Sequence, residues 1–450
     1  MPRLPLSHKP MTRQSRQNTA NIWQKGKTLN KIIMLAALLG TVAPASAQII
    51  AIKAGRVISD AAAAARGAST IIVENGRITA INDASVPIPA GATVIDQSAR
   101  TLLPGLIDAH VHLTGNPGTP FWNEAIETDE HAVAIGLANA RITARAGFTT
   151  VRDLGSGRRT AFAVRDAVRE GLFPGPRILA SGPAISIIGG HGDVSGFRPE
   201  VNAALAQGNT CTGAEQCAAR VREASQAGAD VVKITATGGV LSQQGRGLGQ
   251  HFTDAEMKAI VDTAHNLGLR VAAHAHGARG IEAAARAGVD SIEHGTFADA
   301  AAIKAMVAAR TWYVPTLMAR VGIEDRLGKA VFTPIVETKV RETLVQRGQA
   351  LSAASKAGVR IAFGTDTAVS EHGRNGEEGR EMVKYAGMTP RAVLVSATSD
   401  AADLLGIAGE TGTLAIGKAA DIIAVDGDPL ADVAELARVK WVMTRGKVVD

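Results

Sequence analysis

The sequence predicts an α/β fold: a TIM-like (β/α)8 barrel carrying a small β-sandwich assembled from both ends of the chain. Three observations predict it. The middle of the chain alternates helix-like and strand-like segments, the pattern of a parallel sheet. Within that middle, a helix end, a glycine and an apolar strand recur as one unit. Both ends, by contrast, read as short strands around Gly and Asp turns. With 450 residues, 46% of them hydrophobic, the chain can bury one barrel-sized core and a smaller one.

The recurring unit appears as Ala146-Gly147-Phe148, Ala227-Gly228-Ala229, Leu267-Gly268-Leu269, Ala287-Gly288-Val289 and Ala357-Gly358-Val359. Glycine ends each helix because it takes the left-handed conformation without a Cβ clash. Eight strands follow from the pattern, at 103–112, 148–154, 177–181, 231–236, 270–275, 291–295, 312–316 and 360–366. Eight βα units close into a barrel with its chemistry at the C-terminal ends of the strands. Thr253-Asp254-Ala255-Glu256 is a capping box that opens one of the helices. An open doubly wound sheet is the alternative, but no G-x-G-x-x-G loop marks a first βα turn. At the N-terminal end, Glu74-Asn75-Gly76 is a hairpin signal between the strands at 70–73 and 78–81. Strands at 421–426 and 441–449 mirror this at the other end. The expected organisation is a leader at 1–47, sandwich at 48–102, barrel at 103–408 and sandwich again at 409–450.

The leader distorts the charge. The formal net charge is +6, but residues 1–47 hold seven Lys or Arg and no acid. The remainder has 41 basic against 42 acidic residues, so it carries no electrostatic footprint for nucleic acid. Lys31, the apolar run 32–39 and Ala45-Ser46-Ala47 before Gln48 describe a secretory signal, cleaved near Ala47. The apolar run is too short to span a bilayer, and Gln48 in place of Cys argues against a lipid anchor. The long polar stretch before Lys31 is unusual for such a signal and leaves Met11 as an alternative start. A periplasmic or secreted protein is expected. Its two cysteines, Cys211 and Cys217, either close a small disulfide loop or stay as free thiols.

Polar, metal-competent residues gather at the strand ends. His110 and His112 close the first strand, and period-two alternation puts both imidazoles on the barrel-facing side. On its own H-x-H is a weak signal, equally compatible with two satisfied core histidines. His274 ends the fifth strand, His294 the sixth and Asp366 the eighth. Lys233 lies in the apolar fourth strand, where a bare ammonium is costly to bury. Five strands therefore aim such groups at one mouth. Imidazole and carboxylate suit Zn²⁺, with Mn²⁺, Co²⁺ or Fe²⁺ as substitutes. A cationic Lys233 would repel two dications, whereas a carbamate formed from CO2 would bridge them. Asp366, with a free oxygen, can take a proton from water and pass it to a leaving nitrogen.

Pro104-Gly105-Leu106-Ile107-Asp108-Ala109-His110-Val111-His112, Lys233, Val271-Ala272-Ala273-His274-Ala275-His276-Gly277, Ser291-Ile292-Glu293-His294-Gly295 and Phe363-Gly364-Thr365-Asp366 together resemble the amidohydrolase superfamily. The resemblance runs from about Ala51 to the C-terminus. It is nearest to the imidazolonepropionase-like peptidases: Xaa-Pro dipeptidases, carboxypeptidases acting on N-acyl amino acids, and ochratoxin-hydrolysing amidohydrolases. It implies two metals, one on His110, His112 and Asp366 and the other on His274 and His294, bridged by carboxylated Lys233. The implied reaction releases a C-terminal amino acid from a small N-acyl amino acid or dipeptide, with ochratoxin A among the possible substrates.

Other assignments are looser. Alternation aims His276 into the mouth, and the resemblance implies that it contacts the substrate carbonyl; a structural role is the alternative. His191, among glycines at 189–192, is a substrate-contact candidate or an exposed loop residue. The glycine-rich stretch 237–249 is expected to form a mobile rim. Asp108 and Arg152-Asp153 are expected to support the ligands from behind. His131, His251, His265 and His372 have no comparable placement. A lactonase or phosphotriester hydrolase is the competing enzyme reading, and a binding protein on an inactive barrel the third. Lys233, together with Gly277 where the mononuclear deaminases carry Glu, argues against deamination. The expected partners are a small-molecule or dipeptide substrate and further copies of this chain, without nucleic acid or a stable membrane anchor.

Overall fold

The computed structural model describes residues 48–245 and 247–449, so the expected leader lies outside the described residues. Four strands open the described chain: β1 (Ile49–Val57), β2 (Ser69–Glu74), β3 (Arg77–Asp83) and β4 (Thr93–Pro104). The middle holds β5 (Leu106–Val111), β6 (Phe148–Asp153), β7 (Arg177–Ala180), the short pair β8 (Ser186–Ile187) and β9 (Thr210–Cys211), then β10 (Val231–Thr235), β11 (Arg270–Ala275), β12 (Ser291–His294) and β13 (Trp312–Val314). Near the C-terminus lie β14 (Ile422–Val425), β15 (Trp441–Thr444) and β16 (Lys447–Val448).

The two ends build one seven-stranded sheet in the order β16-β15-β14-β4-β1-β2-β3. Asn75 and Gly76 both take positive φ (51° and 77°), as the tight two-residue hairpin between β2 and β3 requires. The sheet folds over on itself: Arg77 on its outer strand bridges Ala419, and Gly417 donates its N–H to Ile78. Ile52, Ile71, Ile78, Leu102, Ile422 and Met443 face one another inside the fold, which makes it a sandwich with its own core.

The barrel strands pair in parallel as β5-β6-β7 and β10-β11-β12-β13. The gap between the two groups is bridged by Ile185 with Ile234, and by the Asp230 N–H on the Ala180 carbonyl. The eighth strand is an extended segment bonded on both sides. Tyr313 donates to Arg360, and Ala362 donates back to Tyr313. On the other flank Ala109 donates to Phe363, and Asp366 donates to His110. That second row joins the last strand to the first and closes the barrel.

The first barrel strand starts at Leu106 rather than Leu103, because Leu103 and Pro104 pair with Ile423 and Ile422 in the sandwich. Gly105 is the pivot between the two sheets; a Cβ there would lie 2.1 Å from the Thr149 hydroxyl. Helix ends follow the expected punctuation, with Gly228 and Gly288 both at φ 96°. Thr253 and Glu256 form the capping box. Cys211 and Cys217 are joined in a disulfide, which settles the pair between its two readings.

Gly364 sits in the closing segment, where a Cβ would lie 2.4 Å from Val314 and 3.1 Å from the Cβ of His110. Gly364→Ala should therefore overpack the seam and cost about 1–3 kcal/mol. Thermal unfolding should show a midpoint several degrees lower; an unchanged midpoint would mean that the seam can relax around a methyl group.

Candidate metal centre

Alternation along the strands decides which side chains enter the barrel. On β5, Ile107 and Ala109 pack outward, so Asp108, His110 and, one residue past the strand end, His112 face in. On β10 and β11, Val231 and Ala272 pack together inside, and Lys233, His274 and His276 share their parity. On β12, Ser291 and Glu293 face in and bond each other and Arg152. His294 would then point outward among the helices, but its φ of 68° breaks the alternation and turns the ring to the mouth. Asp366, at φ 58°, is re-aimed in the same way. Non-glycine residues held there cost about 1–3 kcal/mol each and cluster at functional sites.

The side chains converge closely. His110 and His112 bring their Nε2 atoms 3.3 Å apart. Asp366 Oδ1 lies 3.2 Å from His112 Nε2 and 3.6 Å from His110 Nε2. Lys233 Nζ is 3.5 Å from His110 Nε2. The His294 ring lies 4.6 Å from that of His274, 4.9 Å from that of His276 and 5.1 Å from that of His110. Two groups have donor atoms within 4.8 Å of one another: His110, His294 and Asp366, and His274, His276 and His294.

The second contacts of the imidazoles set their tautomers. His110 Nδ1 donates to Glu293 Oε2 at 2.8 Å, and His112 Nδ1 donates to the Gly155 carbonyl at 2.8 Å. With those protons committed, both rings turn Nε2 lone pairs toward each other and toward the Asp366 carboxylate. Three electron-pair donors converging at such distances repel unless a cation lies among them, so this donor set fits a metal ion. His294 Nδ1 meets the Thr316 hydroxyl at 2.7 Å, and His276 Nδ1 meets the Thr296 hydroxyl at 2.8 Å.

Electrostatics follow from burial. Burial pushes the Lys233 ammonium down to about 8, against Glu293 and Asp366, which raise it. Burial also lowers His110 and His276 to about 4 and takes His274 and His294 well below their ordinary range. Burial alone would raise Glu293, but Arg152 and His110 outweigh it and hold the carboxyl at about 2. The same opposition, with His110 and His112 as the favourable partners, holds Asp366 well below the carboxylate range. Asp108, one layer down, accepts from the His110 and Thr365 N–H groups, the Thr365 hydroxyl and Asn375, and so ties the first strand to the eighth.

A cavity of about 360 Å³ opens on these residues. One wall is the histidine cluster; the other is apolar, from Val240, Leu241, Ile323, Val340, Leu344 and Val369. His191 lines it too, with its ring 4.3 Å from that of His274. The glycine-rich rim takes several hydrogen bonds from one side chain. Lys339 Nζ donates to the carbonyls of Gly239, Ser242 and Gln244 at 2.8, 2.6 and 3.1 Å. A polar cluster of this kind could not be read from the sequence, because Lys339 lies about a hundred residues from the loop it holds. Glu293 was readable in principle, since it shares the inward parity of Ser291. His131 and His265 pair instead with Glu127 and Asp290, away from the cluster.

The sequence matches the model of the amidohydrolase family over residues 101–449. It is 33% identical over 414 residues to the ochratoxinase of Aspergillus niger, covering 86% of this chain and 83% of that protein. The structure superposes on a Xaa-Pro dipeptidase with methionine bound in its active site, with a TM-score of 0.81 and 36% identity over 89% of this chain and 99% of that one. The crystal structure of the A. niger ochratoxinase gives a TM-score of 0.75 and 27% identity over 89% and 95% of the two chains.

Buried neutral histidines make stability depend on pH. His110 and His276 bind protons near 4 when folded but near 6.5 when unfolded. Between those values the unfolded chain takes up protons that these two rings refuse when folded, so their contribution to stability falls as the pH falls from about 6.5 to about 4, opposed by Asp108 and Asp400, which burial raises to about 6. Below that window, loss of the Glu293 charge continues the decline toward pH 2. In melting curves of metal-free protein the midpoint should fall less steeply between pH 6.5 and 4 in His276→Ala than in the unsubstituted chain. Equal slopes would contradict the low proton affinity of this buried ring.

Proposed function

This chain belongs to the amidohydrolase family and hydrolyses amide bonds; from that premise we propose that it releases the C-terminal amino acid from small N-acyl amino acids or dipeptides at a dinuclear metal site. Ochratoxin A, cleaved to ochratoxin alpha and phenylalanine, is among the candidate substrates. The observation that carries this reading is the convergence of Lys233, two histidine groups and Asp366 on one wall of a largely apolar cavity. Similarity to an ochratoxinase and a Xaa-Pro dipeptidase supports the same reaction class.

In this reading His110, His112 and Asp366 hold one divalent ion, and His274 and His294 hold the other. Zn²⁺ is the favoured ion, with Mn²⁺, Co²⁺ or Fe²⁺ able to substitute. Such ions supply an acidified water and polarise the scissile carbonyl. Lys233 carries a carbamate. Its neutral amine, accessible because burial lowers the ammonium to about 8, adds to CO2, forms an N–C bond and loses a proton. The product is an anion with two oxygens, which removes the buried positive charge from an apolar strand. Asp366, ionised at neutral pH, takes the proton of the attacking water and hands it to the leaving nitrogen. His276 and His191 contact the substrate, and the tethered rim excludes water from the apolar wall.

A panel of N-acyl amino acids and dipeptides, read out as free amino acid released, tests the reaction. Turnover should depend on about two bound ions per chain and stop on chelation. Release of no amino acid from any member, alongside rapid lactone or phosphotriester hydrolysis, would overturn the reading.

Lys233→Ala tests the carbamate. Alanine fits the buried strand without overpacking, so the variant should fold, lose most of its activity and retain less metal. Formate or acetate, added with metal, should restore part of the rate by supplying bridging oxygens. Asp366→Ala should resist such rescue, because its carboxylate must also move a proton from a fixed position. Two metals and near-normal turnover in Lys233→Ala would remove the bridge from the proposal.

A further inference from the structure

We infer that Thr296 is a positioning residue for the hydrolysis: its hydroxyl donates to His276 Nδ1 and keeps the imidazole proton on Nε2, facing the substrate carbonyl. This rests on the proposed role of His276 as a substrate contact.

The argument starts from what stands behind each imidazole. His110 Nδ1 faces a carboxylate and His112 Nδ1 faces a carbonyl. Both partners can only accept, so each ring carries its proton on Nδ1 and leaves a lone pair on Nε2, as a metal ligand must. Behind His276 stands a hydroxyl, Thr296 Oγ1 at 2.8 Å. A hydroxyl can donate, which permits the opposite tautomer. That tautomer suits a ring that must hydrogen-bond a carbonyl oxygen, because an Nε2 lone pair aimed at that oxygen would repel it. His294 lies parallel to His276 at 4.9 Å and also has a threonine hydroxyl, Thr316 Oγ1, behind it. The stacked rings thus share one kind of partner, and the direction of the hydrogen bond distinguishes a ligand from a donor.

The main chain holds Thr296 in place. The Phe297 N–H donates to the His276 carbonyl at 3.0 Å, and the His276 N–H donates to Thr237 Oγ1 at 3.0 Å. The two strand ends are therefore pinned together, and His276 is buried. These bonds fix the backbone on either side of the Thr296–His276 contact.

The test compares Thr296→Val, which keeps the shape and deletes the hydroxyl, with Thr296→Ser, which restores it, each alone and in a His276→Ala background. Thr296→Val should lower kcat by about 10- to 100-fold, the range found when the partner behind a metal-bound imidazole is lost. KM should stay within about threefold, metal content should be unchanged, and Thr296→Ser should recover most of the loss. In His276→Ala the valine substitution should have no further effect, because Thr296 acts only through that ring. Thr296→Val at full speed in a protein where His276→Ala is slow would overturn this inference alone. So would loss of metal in Thr296→Val, a serine no better than valine, or additive effects of the two substitutions. Full activity in His276→Ala would instead remove the substrate-contact role on which the inference stands.

Discussion

The buried chain Arg152–Glu293–His110 is the contact on which the rest of the centre depends. Arg152 Nη2 lies 2.9 Å from one oxygen of Glu293, and His110 Nδ1 lies 2.8 Å from the other. All three side chains are essentially inaccessible to water. Removing Arg152 would take the charge partner from a carboxylate in a medium that cannot solvate it, at a cost of about 3–5 kcal/mol. The chain also joins β5, β6 and β12 across the barrel interior. The orientation and tautomer of the His110 ring are thus set by an electrostatic arrangement one layer below the mouth.

Above that layer the backbone departs from regular strand geometry where function needs it. His294 and Asp366 sit at positive φ, and each is over-determined by its surroundings. The Tyr313 hydroxyl donates to the His294 carbonyl at 2.9 Å, and the Asp366 N–H donates to the His110 carbonyl at 2.7 Å. These bonds offset the local cost and hold two side chains in the mouth that strand alternation would have sent elsewhere.

The cavity combines two environments that a single surface could not. Its polar wall comes from the strand ends, and its apolar wall from the helices Leu317–Glu324 and Pro334–Leu344 with the tethered rim. Fixed charges facing an apolar wall act in a low dielectric, which strengthens each interaction with a bound substrate. Lys339, buried and bonded to neutral oxygens among the described residues, holds that wall at a distance set by the rim carbonyls.

Read alone, the sequence determined the barrel, the sandwich from two ends and the inward parity of His110, His112, Lys233, His274 and His276. Those features depend on local periodicity and on glycine at helix ends, which neighbouring residues specify. It also placed His294 and Asp366 at strand ends, but alternation by itself would have sent His294 to the wrong face. Only the tertiary structure decided that residue's direction, the pairing of Glu293 with Arg152 and His110, the tether from Lys339 to the rim, and the hydroxyls behind His276 and His294. The reason is physical: a positive φ is stabilised by bonds from distant strands. A buried ion pair likewise exists only where closure of the barrel brings its members within 3 Å.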